Sequence, residues 1–471
     1  MLDQPLASRD GGQVTLTAEI VEVFESRLRG ALIRPSDSAY DEARQVYNAM
    51  HDRRPALIVQ ARDAADVTAA VGFARDEGLA LAVRGGGHSV PGFGTCDGGL
   101  VLDLGAMTGV RVDPVKGRVR AEGGCTWADV DHATHGFGLA TPGGVVSSTG
   151  IGGLSLGGGM GHLSRRCGLS CDNLLSADVV TAAGDLVTCD AETHPELFWA
   201  LRGGGGNFGV VTSFQYRTHP VAEVLGGPTF FHMDGDVMRS YQAFIEQAPE
   251  ELNAVFAIVL APALPFVPEE WHGKPVMGVV TCWSGNEEQD DWVRGEIAGF
   301  GQVVGQMLWR MPYPVINTLF DELLPAGLKH YWKANVLKRF TEEAIAVHLE
   351  HGPKVPSLES GPFIFPINGA CHRVGVGDSA FAHRAANFSL VIAGSWQDAA
   401  DNEANIRWVR DYHAAIAPHC EAGGYINFMS GDDQARAPAN YGANHRRLRE
   451  IKAVYDPENL FRLNQNVEPA E

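Results

Sequence analysis

Three glycine-rich segments, separated by short apolar runs, constrain the fold of this 471-residue chain more than any other feature. The first follows an apolar run over 79–83, reads Arg-Gly-Gly-Gly-His over 84–88, and precedes another apolar run over 100–104. The other two span 143–161 and 202–209. Because glycine lacks a Cβ and reaches positive φ, such segments let backbone N–H groups approach an anion closely. Together they predict one long, phosphate-bearing ligand wrapped by backbone.

The third segment also contains a G-x-G-x-x-G pattern over 204–209, which is the fingerprint of a Rossmann dinucleotide site. That site needs a helix directly after the pattern, with its N-terminus facing the pyrophosphate. Here residues 210–216 are Val-Val-Thr-Ser-Phe-Gln-Tyr, whose β-branched and aromatic side chains predict a strand. The context therefore argues against a Rossmann fold.

The remaining pattern predicts alternating helices and strands in the first half of the chain. Apolar residues at helical spacing predict a helix over 65–77, and helices are also expected over 17–28, 341–350 and 398–417. Short strands are expected over 55–59, 110–112, 118–121, 174–182, 254–261 and 276–283. Near residue 225 the glycine segments stop and prolines and aromatics increase, which indicates a change of domain.

Charge and composition exclude several classes of partner. Lys and Arg total 37 against 57 Asp and Glu, giving a net charge of −20, so nucleic acid and anionic membranes are not expected partners. Residues 1–5, Met-Leu-Asp-Gln-Pro, lack the features of a signal peptide. The eight cysteines, Cys167 and Cys171 included, form no zinc pattern, so we expect no metal and free thiols in the cytoplasm.

The order of the motifs resembles the berberine-bridge-enzyme-like flavin oxidases, within the vanillyl-alcohol-oxidase and p-cresol-methylhydroxylase (PCMH) group. The resemblance rests on 84–88, 143–161, Arg-Arg-Cys-Gly-Leu-Ser-Cys-Asp-Asn over 165–173, Phe-Trp-Ala-Leu-Arg-Gly-Gly-Gly-Gly-Asn-Phe-Gly over 198–209, and 455–466. It covers roughly residues 45–225 and 425–468. The bacterial sequences that it resembles include tailoring oxidases of antibiotic and polyketide pathways.

The resemblance implies an α+β, two-domain PCMH/VAO-type fold. An FAD-binding domain over 1–225, with a core at about 50–222, would be followed by a substrate domain over 226–424. That inserted domain is expected to place an antiparallel sheet with helices over the flavin. Residues 425–471 would return to the FAD-binding domain.

The resemblance also implies FAD bound covalently, with His88 joined to the flavin 8α-methyl group. Some relatives add a second bond from a cysteine, and Val146 occupies that place here, so a single link is expected. The cofactor-binding residues implied by the motif match are Arg84, Gly85, Gly86, Gly87, His88, Ser89, Gly92, Gly144, Thr149, Gly150, Gly153, Gly159, Gly209, Val210, Tyr425, Asn427 and Asn464.

The resemblance implies Tyr425, Asn427 and Tyr441 as catalytic residues, and His372 is a candidate substitute acid–base group where the sequence departs from the family. Tyr425 and Asn427 are expected on one face of a strand over 424–428, with Tyr425 as a base if its pKa is lowered. Packed core residues are the alternative, and His372 is equally consistent with a surface imidazole. The glutamate that plant members carry before residue 367 is absent, since residues 363–366 are Phe-Ile-Phe-Pro. The aromatic residues Phe230, Tyr313, Tyr331 and Trp332 of the inserted domain are further site candidates, although ordinary core is the favoured interpretation.

The expected function is removal of a hydride from an alcohol or hydroxylated secondary metabolite, with O₂ reduced to H₂O₂. Three alternatives stay open: a flavin-dependent oxygenase, a flavin dehydrogenase with another electron acceptor, and a non-catalytic flavin-binding protein. A small-molecule substrate and O₂ are the expected partners. The sequence does not indicate the substrate or the oligomeric state.

Overall fold

The computed structural model describes residues 5–471. Residues 1–4, on which the expectation about a signal peptide partly depends, lie outside the described residues. Within the described chain, no helix is both long and apolar enough to span a bilayer.

The first part of the chain forms a small sheet flanked by helices. Its elements are β1 (Leu6–Ala7), β2 (Gln13–Val14), α1 (Ala18–Glu25), β3 (Ala31–Ile33), α2 (Tyr40–Ala43), β4 (Leu57–Gln60), α3 (Ala64–Asp76), β5 (Leu81–Arg84) and β6 (Leu100–Asp103). The sheet has the order β3-β4-β6-β5, and β6 runs parallel to both of its neighbours. Asp63 caps α3 by accepting hydrogen bonds from the N–H groups of Ala65 and Asp66.

A five-stranded antiparallel sheet follows. Its region contains β7 (Val110–Asp113), β8 (Arg118–Glu122), α4 (Trp127–His135), β9 (Leu139–Ala140), α5 (Ile151–Gly157), α6 (Ser164–Cys167), β10 (Leu174–Val180), β11 (Leu186–Asp190), α7 (Pro195–Leu201) and β12 (Val210–Arg217). The strand order is β11-β10-β12-β8-β7. Strand β12 begins directly after Gly209, so the prediction that a strand and not a helix follows the third glycine segment is confirmed.

The middle of the chain builds a large antiparallel sheet with helices packed on one face. Its elements are β13 (His219–Pro220), β14 (Glu223–Phe231), α8 (Gly235–Gln247), β15 (Leu252–Leu260), β16 (Pro275–Trp283), α9 (Asp290–Ala298), β17 (Val303–Gln306), β18 (Trp309–Pro312), α10 (Tyr313–Ile316), β19 (Lys329–Leu337), α11 (Glu342–His351), β20 (Gly361–Pro366), β21 (Phe388–Trp396) and α12 (Asn402–Ile416). The order is β17-β14-β16-β15-β20-β21-β19, and β18 pairs with β14.

The helical face of this sheet contains the largest apolar cluster of the described chain, including Ile364, Leu390 and Ile392. Because successive side chains of a strand point to opposite faces, the neighbouring residues Phe363, Val391 and Ala393 face the other way. They face the first half of the molecule.

The C-terminal part of the chain packs against the elements that carry the glycine segments. Helices α13 (Ala437–Tyr441) and α14 (His445–Tyr455) contribute to the cluster of α7 and β12, and Leu448 and Ile451 are buried there. The predicted α+β class is confirmed.

Two local predictions differ from the structure. Residues 424–428 are not a strand, because Gly423 has φ +82° and the chain then makes a 3₁₀ turn over Ile426–Phe428. The second glycine segment, for which no helix was predicted, contains helix α5 over residues 151–157.

Candidate active site

A cavity of about 350 Å³ lies between the glycine segments and the large sheet. One wall is backbone of the three glycine segments and of residues 461–465, and the other wall is β20, β21 and Trp332 of β19. The sequence-predicted cofactor residues that line it are Arg84, Gly85, Gly86, Gly87, His88, Ser89, Gly144, Thr149, Gly150, Gly153, Gly209, Val210, Tyr425, Asn427 and Asn464.

The first two glycine segments touch through their backbones. A Cβ added to Gly86 would lie 2.5 Å from the Gly150 nitrogen, and one added to Gly150 would lie 2.4 Å from the Gly86 nitrogen. Gly87 has φ +71°, a conformation that other residues rarely adopt. Only glycine at these positions lets the two segments form one continuous surface.

His88 stands on this surface with its ring edge toward the second segment. Its Nε2 lies 3.1 Å from Ser148 Oγ, and its Nδ1 lies 3.5 Å from Thr149 Oγ1. Burial lowers the pKa of His88 to about 4. The imidazole is therefore neutral near pH 7, and a nitrogen lone pair is available for bonding.

Tyr425 and Asn427 meet beside residues 154–159 of the second glycine segment. The Tyr425 hydroxyl accepts hydrogen bonds from the Gly159 N–H at 2.8 Å and from Asn427 Nδ2 at 2.7 Å. Asn427 Nδ2 also donates to the Leu154 carbonyl at 3.0 Å. Burial raises the pKa of Tyr425, so the phenol stays protonated. A neutral phenol whose two lone pairs are engaged is a hydrogen-bond donor to a ligand, not a base.

Two predicted catalytic residues lie elsewhere. Tyr441 is buried outside the cavity, and its hydroxyl donates to the Gln465 carbonyl at 2.7 Å. His372 is exposed in a 3₁₀ turn, with Nε2 2.9 Å from the Ala386 carbonyl oxygen. The structure does not bring either side chain to Tyr425 and Asn427.

Three predicted cofactor residues have mainly structural contacts. Gly92 and Gly159 do not line the cavity, and Gly159 takes part only through its bond to Tyr425. Arg84 lines the cavity, but its guanidinium pairs with Asp103 at 2.8 Å and donates to the carbonyls of Ala43 and Gln45. Its charge is thus already compensated within the protein.

The sheet side of the cavity is apolar. Of the aromatic residues considered from the sequence, Trp332 lines it, whereas Phe230, Tyr313 and Tyr331 do not. The apolar lining residues on this side are Phe320, Leu324, Trp332, Phe363, Phe365, Val391, Ala393 and Phe428. A surface of this kind excludes water and favours an apolar or aromatic ligand.

One polar group interrupts this wall at its far end. Glu359 is the only carboxylate among the described residues that line the cavity. Within the described residues, no side chain or backbone group forms a hydrogen bond or ion pair with it. Ser360 next to it bonds the backbone of Ser395, which also lines the cavity. Glu359 precedes β20, and from Gly361 to Phe365 that strand spans about 13 Å. Phe365 packs near Phe428, which in turn packs on Tyr425, so Glu359 lies far from Tyr425.

Several lining residues had no signal in the sequence. Tyr47, Phe320, Leu324 and Glu359 lie in segments without a motif, and their places follow only from tertiary packing. A search of the sequence for apolar residues within loops would have identified Phe320.

The residues present fit a flavin dinucleotide. The glycine wall supplies close backbone approach, and the side-chain oxygens of Asn464 and Gln465 and the amide nitrogen of Gln465 are buried at the cavity without a protein partner. Buried polar atoms are normally hydrogen-bonded, so we expect these atoms to form hydrogen bonds with a polar ligand. An elongated ligand with a polar half and a flat aromatic half matches both walls.

Comparison with known proteins agrees with this fit. A family described as FAD binding domain matches residues 55–190, and one described as berberine and berberine like matches 424–468. An FAD-linked oxidoreductase of Dictyostelium discoideum is 33% identical over 460 residues, covering 96% of this chain and 98% of that protein. This chain belongs to the berberine-like FAD-linked oxidoreductases. It is therefore an FAD-linked oxidoreductase.

Other known proteins match over nearly the whole chain. The (R)-6-hydroxynicotine oxidase of Paenarthrobacter nicotinovorans is 31% identical over 472 residues, covering 94% of this chain and 97% of that protein. The crystal structure of 6-hydroxy-D-nicotine oxidase from Arthrobacter nicotinovorans superposes with a TM-score of 0.85 at 27% identity, covering 97% of this chain and all of that chain. Glucooligosaccharide oxidase from Acremonium strictum, described with a 6-S-cysteinyl, 8α-N1-histidyl FAD, has the same fold at 23% identity and a TM-score of 0.85, covering 96% and 99%.

Proposed function

We propose that this protein is an FAD-dependent oxidase that removes a hydride from an apolar, hydroxyl-bearing organic substrate and reduces O₂ to H₂O₂. The observation that carries the proposal is the position of His88, where the glycine wall meets the apolar wall of one cavity. A flavin held there would present one face to a water-poor chamber. The oxidase names of full-length relatives support this reaction class.

The proposal divides the chain by role. Residues 1–225 and 425–471 hold FAD, and residues 226–424 shape the substrate chamber. The glycine wall and residues 461–465 support the first assignment, and the lining residues of β19, β20 and β21 support the second.

We also propose that His88 is the single covalent link to FAD. The neutral imidazole supports His88 as the attaching group. Val146 lines the cavity beside it and has no nucleophilic atom, which supports the absence of a second bond.

The chain's own residues orient the substrate and keep water out. FAD, when bound, accepts the hydride and passes the electrons to O₂. Tyr425 donates its O–H to the reacting substrate oxygen, because its lone pairs already accept from Gly159 and Asn427. Tyr425 stays protonated, so the proton of the substrate hydroxyl ends not on this residue but in the H₂O₂ that is formed. Phe363, Phe365 and Trp332 pack on the substrate body.

The deciding experiment is an absorbance spectrum of the purified protein and of its acid-precipitated, washed pellet. A yellow wild-type pellet and a colourless His88→Ala pellet are expected. Flavin in the wild-type supernatant would remove the covalent link but keep FAD binding. A protein that never carries flavin would contradict the proposal entirely.

Substrate chemistry is tested next by peroxide release on a panel of apolar alcohols and hydroxylated aromatics. Anaerobic reduction followed by rapid reoxidation in air is expected for an oxidase. Slow reoxidation would instead indicate a dehydrogenase, and incorporation of labelled oxygen into product would indicate an oxygenase.

A further inference from the structure

Tyr47 lies between the rings of two histidines. Its ring stacks on His88 with centroids 3.9 Å apart and an interplanar angle of 18°, and on His330 at 4.9 Å and 9°. The three rings come from three separate parts of the chain: the segment after α2, the first glycine segment and β19. Nothing in the sequence connects them.

Tyr47 is itself held from both ends. Its N–H donates to the Gly87 carbonyl at 3.1 Å, beside His88, and its hydroxyl donates to the Leu324 carbonyl at 2.6 Å. The next residue, Asn48, donates to the carbonyls of Val90 at 2.6 Å and His330 at 3.0 Å. Tyr47 is buried, and its ring therefore has one available position.

The outer ring of the stack is fixed as well. His330 Nδ1 lies 2.9 Å from Ser395 Oγ, and the His330 N–H donates to Asn48 Oδ1 at 2.9 Å. His330 is buried, and the desolvation lowers its pKa to about 3, so it stays neutral beside Tyr47. His330 is therefore a rigid support for the Tyr47 ring on the side opposite His88.

His88 is contacted at its edge by two hydroxyls and at its face by Tyr47. Ser148 and Thr149 are hydroxyls at 3.1 and 3.5 Å, and the second of these distances is at the limit of a hydrogen bond. A face contact with an aromatic ring contributes about 0.5–1.5 kcal/mol beyond its buried area and restricts the plane of both rings. The face contact with Tyr47 thus restricts the ring plane of His88, which sets where its nitrogens point.

We propose that Tyr47 is a positioning residue for covalent attachment of FAD at His88. The inference rests on the proposed covalent link. Attachment joins an imidazole nitrogen to the 8α-carbon of FAD, and the nitrogen and the carbon each lose one proton. The two electrons left by the methyl carbon pass through the flavin to O₂, which takes up two protons and becomes H₂O₂. Tyr47 takes no part in these bonds. It restricts the plane of the imidazole that carries the attacking nitrogen.

The test is a time course of attachment. Apoprotein prepared from riboflavin-starved cells is mixed with FAD in air, and the flavin fraction in acid-precipitated pellets is measured over time. Three variants are compared with wild type: Tyr47→Leu, which removes the ring, Tyr47→Phe, which removes only the bond to Leu324, and Tyr40→Leu, a buried tyrosine in α2 outside the cavity.

The expected result is an attachment rate at least ten-fold lower in Tyr47→Leu, because a freely rotating imidazole is seldom in the attacking geometry. Tyr47→Phe should stay within about three-fold of wild type, because the stacked ring remains. Tyr40→Leu should attach at the wild-type rate. FAD bound before acid treatment, measured by gel filtration, should be stoichiometric in all four proteins and shows that the variants fold.

Three results would contradict the inference in different ways. Equal attachment rates in wild type and Tyr47→Leu would show that Tyr47 does not position His88. A wild-type pellet without flavin would instead overturn the covalent link itself, and with it the basis of this inference. A similar loss in Tyr40→Leu would assign the effect to general loosening of this part of the chain and would also overturn the role of Tyr47.

Discussion

At the residue scale, the two groups nearest the proposed chemistry are uncharged over a wide pH range. Burial lowers the pKa of His88 to about 4 and raises that of Tyr425 above its usual value. A neutral imidazole is a nucleophile, and a neutral phenol is a donor. The sequence indicated His88 through its glycine context, but the state of Tyr425 depends on burial, which no local pattern shows. Tyr425 is therefore assigned the role of orienting the substrate, in place of the expected role as a base.

Changing Tyr425→Phe should lower kcat about 10- to 100-fold. The substitution leaves the Gly159 N–H and the Asn427 amide without their acceptor and removes the donor to the substrate, a loss of about 1–3 kcal/mol. Steady-state peroxide release, normalised to bound flavin, measures it. The matched control is Tyr441→Phe, whose hydroxyl lies outside the cavity and whose kcat should stay within about two-fold of wild type. Equal losses in both variants would contradict the distinction.

At the element scale, the segment Asn317–Gly327 between α10 and β19 closes one side of the cavity, and we call it the strap. Phe320 and Leu324 of the strap line the cavity. Asp321 accepts from the Ser147 N–H at 3.0 Å and from its hydroxyl at 2.5 Å, and Asn317 donates to Asp131 at 2.6 Å. The strap is thus fastened to the glycine side of the molecule.

Changing Asp321→Asn should raise KM for the substrate about five-fold or more, with little change in kcat. The amide no longer accepts as a charged group from both donors of Ser147, and such bonds are worth about 1.5–3 kcal/mol. Steady-state kinetics on the substrate found by screening gives both constants. Asp291→Asn, a fully exposed carboxylate on α9, is the control and should match wild type. A fall in kcat with unchanged KM would place Asp321 in a different role.

The elements themselves were predictable where periodicity was clear. Helix α3 and strands β4, β8 and β12 follow their apolar spacing, because each buries one side or one stripe against the core. The 3₁₀ turn at 426–428 was not predicted, because two glycines before it override the strand propensity of its aromatic residues. Helix α5 was missed because glycines obscure its helical pattern.

At the scale of the whole molecule, the C-terminal part is fastened to the third glycine segment by a buried ion pair. Lys452 Nζ lies 2.6 Å from Asp456 and donates to the carbonyls of Asn207 and Phe461. Asp456 accepts from the N–H groups of Leu460 and Phe461. Both side chains are fully buried, so the pair organises residues more than 240 positions apart. The sequence motif at 455–466 predicted the return of the chain but not this pair.

Changing Lys452→Met should destabilise the protein by about 3–5 kcal/mol, because Asp456 is left buried without a cation. Thermal unfolding followed by circular dichroism should show a Tm lower by roughly 5–10 °C. Lys354→Met removes an exposed pair with Glu350 and should change Tm by about 1 °C or less. A Tm shift of that small size in Lys452→Met would contradict a stabilising role for the pair.

Folding stability should decrease as pH falls from about 6.5 to 4. Burial lowers the pKa of several histidines: His88, His162, His219 and His413 to about 4, and His330 and His348 to about 3. In this window the unfolded chain, with histidine pKa values near about 6.5, binds more protons than the folded chain, so acid favours unfolding. Asp131 acts with the opposite sign, because burial raises its pKa to about 7.

The measurement is Tm between pH 7.5 and 4.5. His162→Leu removes one of these histidines, whose ring nitrogens have no partner in the described chain, and its Tm should fall less steeply with acid than that of wild type. A wild-type Tm that is constant to pH 4.5 would contradict the expectation.

Along β20 and β21, alternate side chains are under different selection: one set lines the cavity and the other forms the core. Phe363, Val391 and Ala393 face the cavity, whereas Ile364 and Ile392 belong to the core on the helical face. A duplicated gene can therefore accumulate changes at every second position and acquire a new substrate while the alternate positions preserve the fold. The strands that support the molecule are also the ones through which its descendants can diversify.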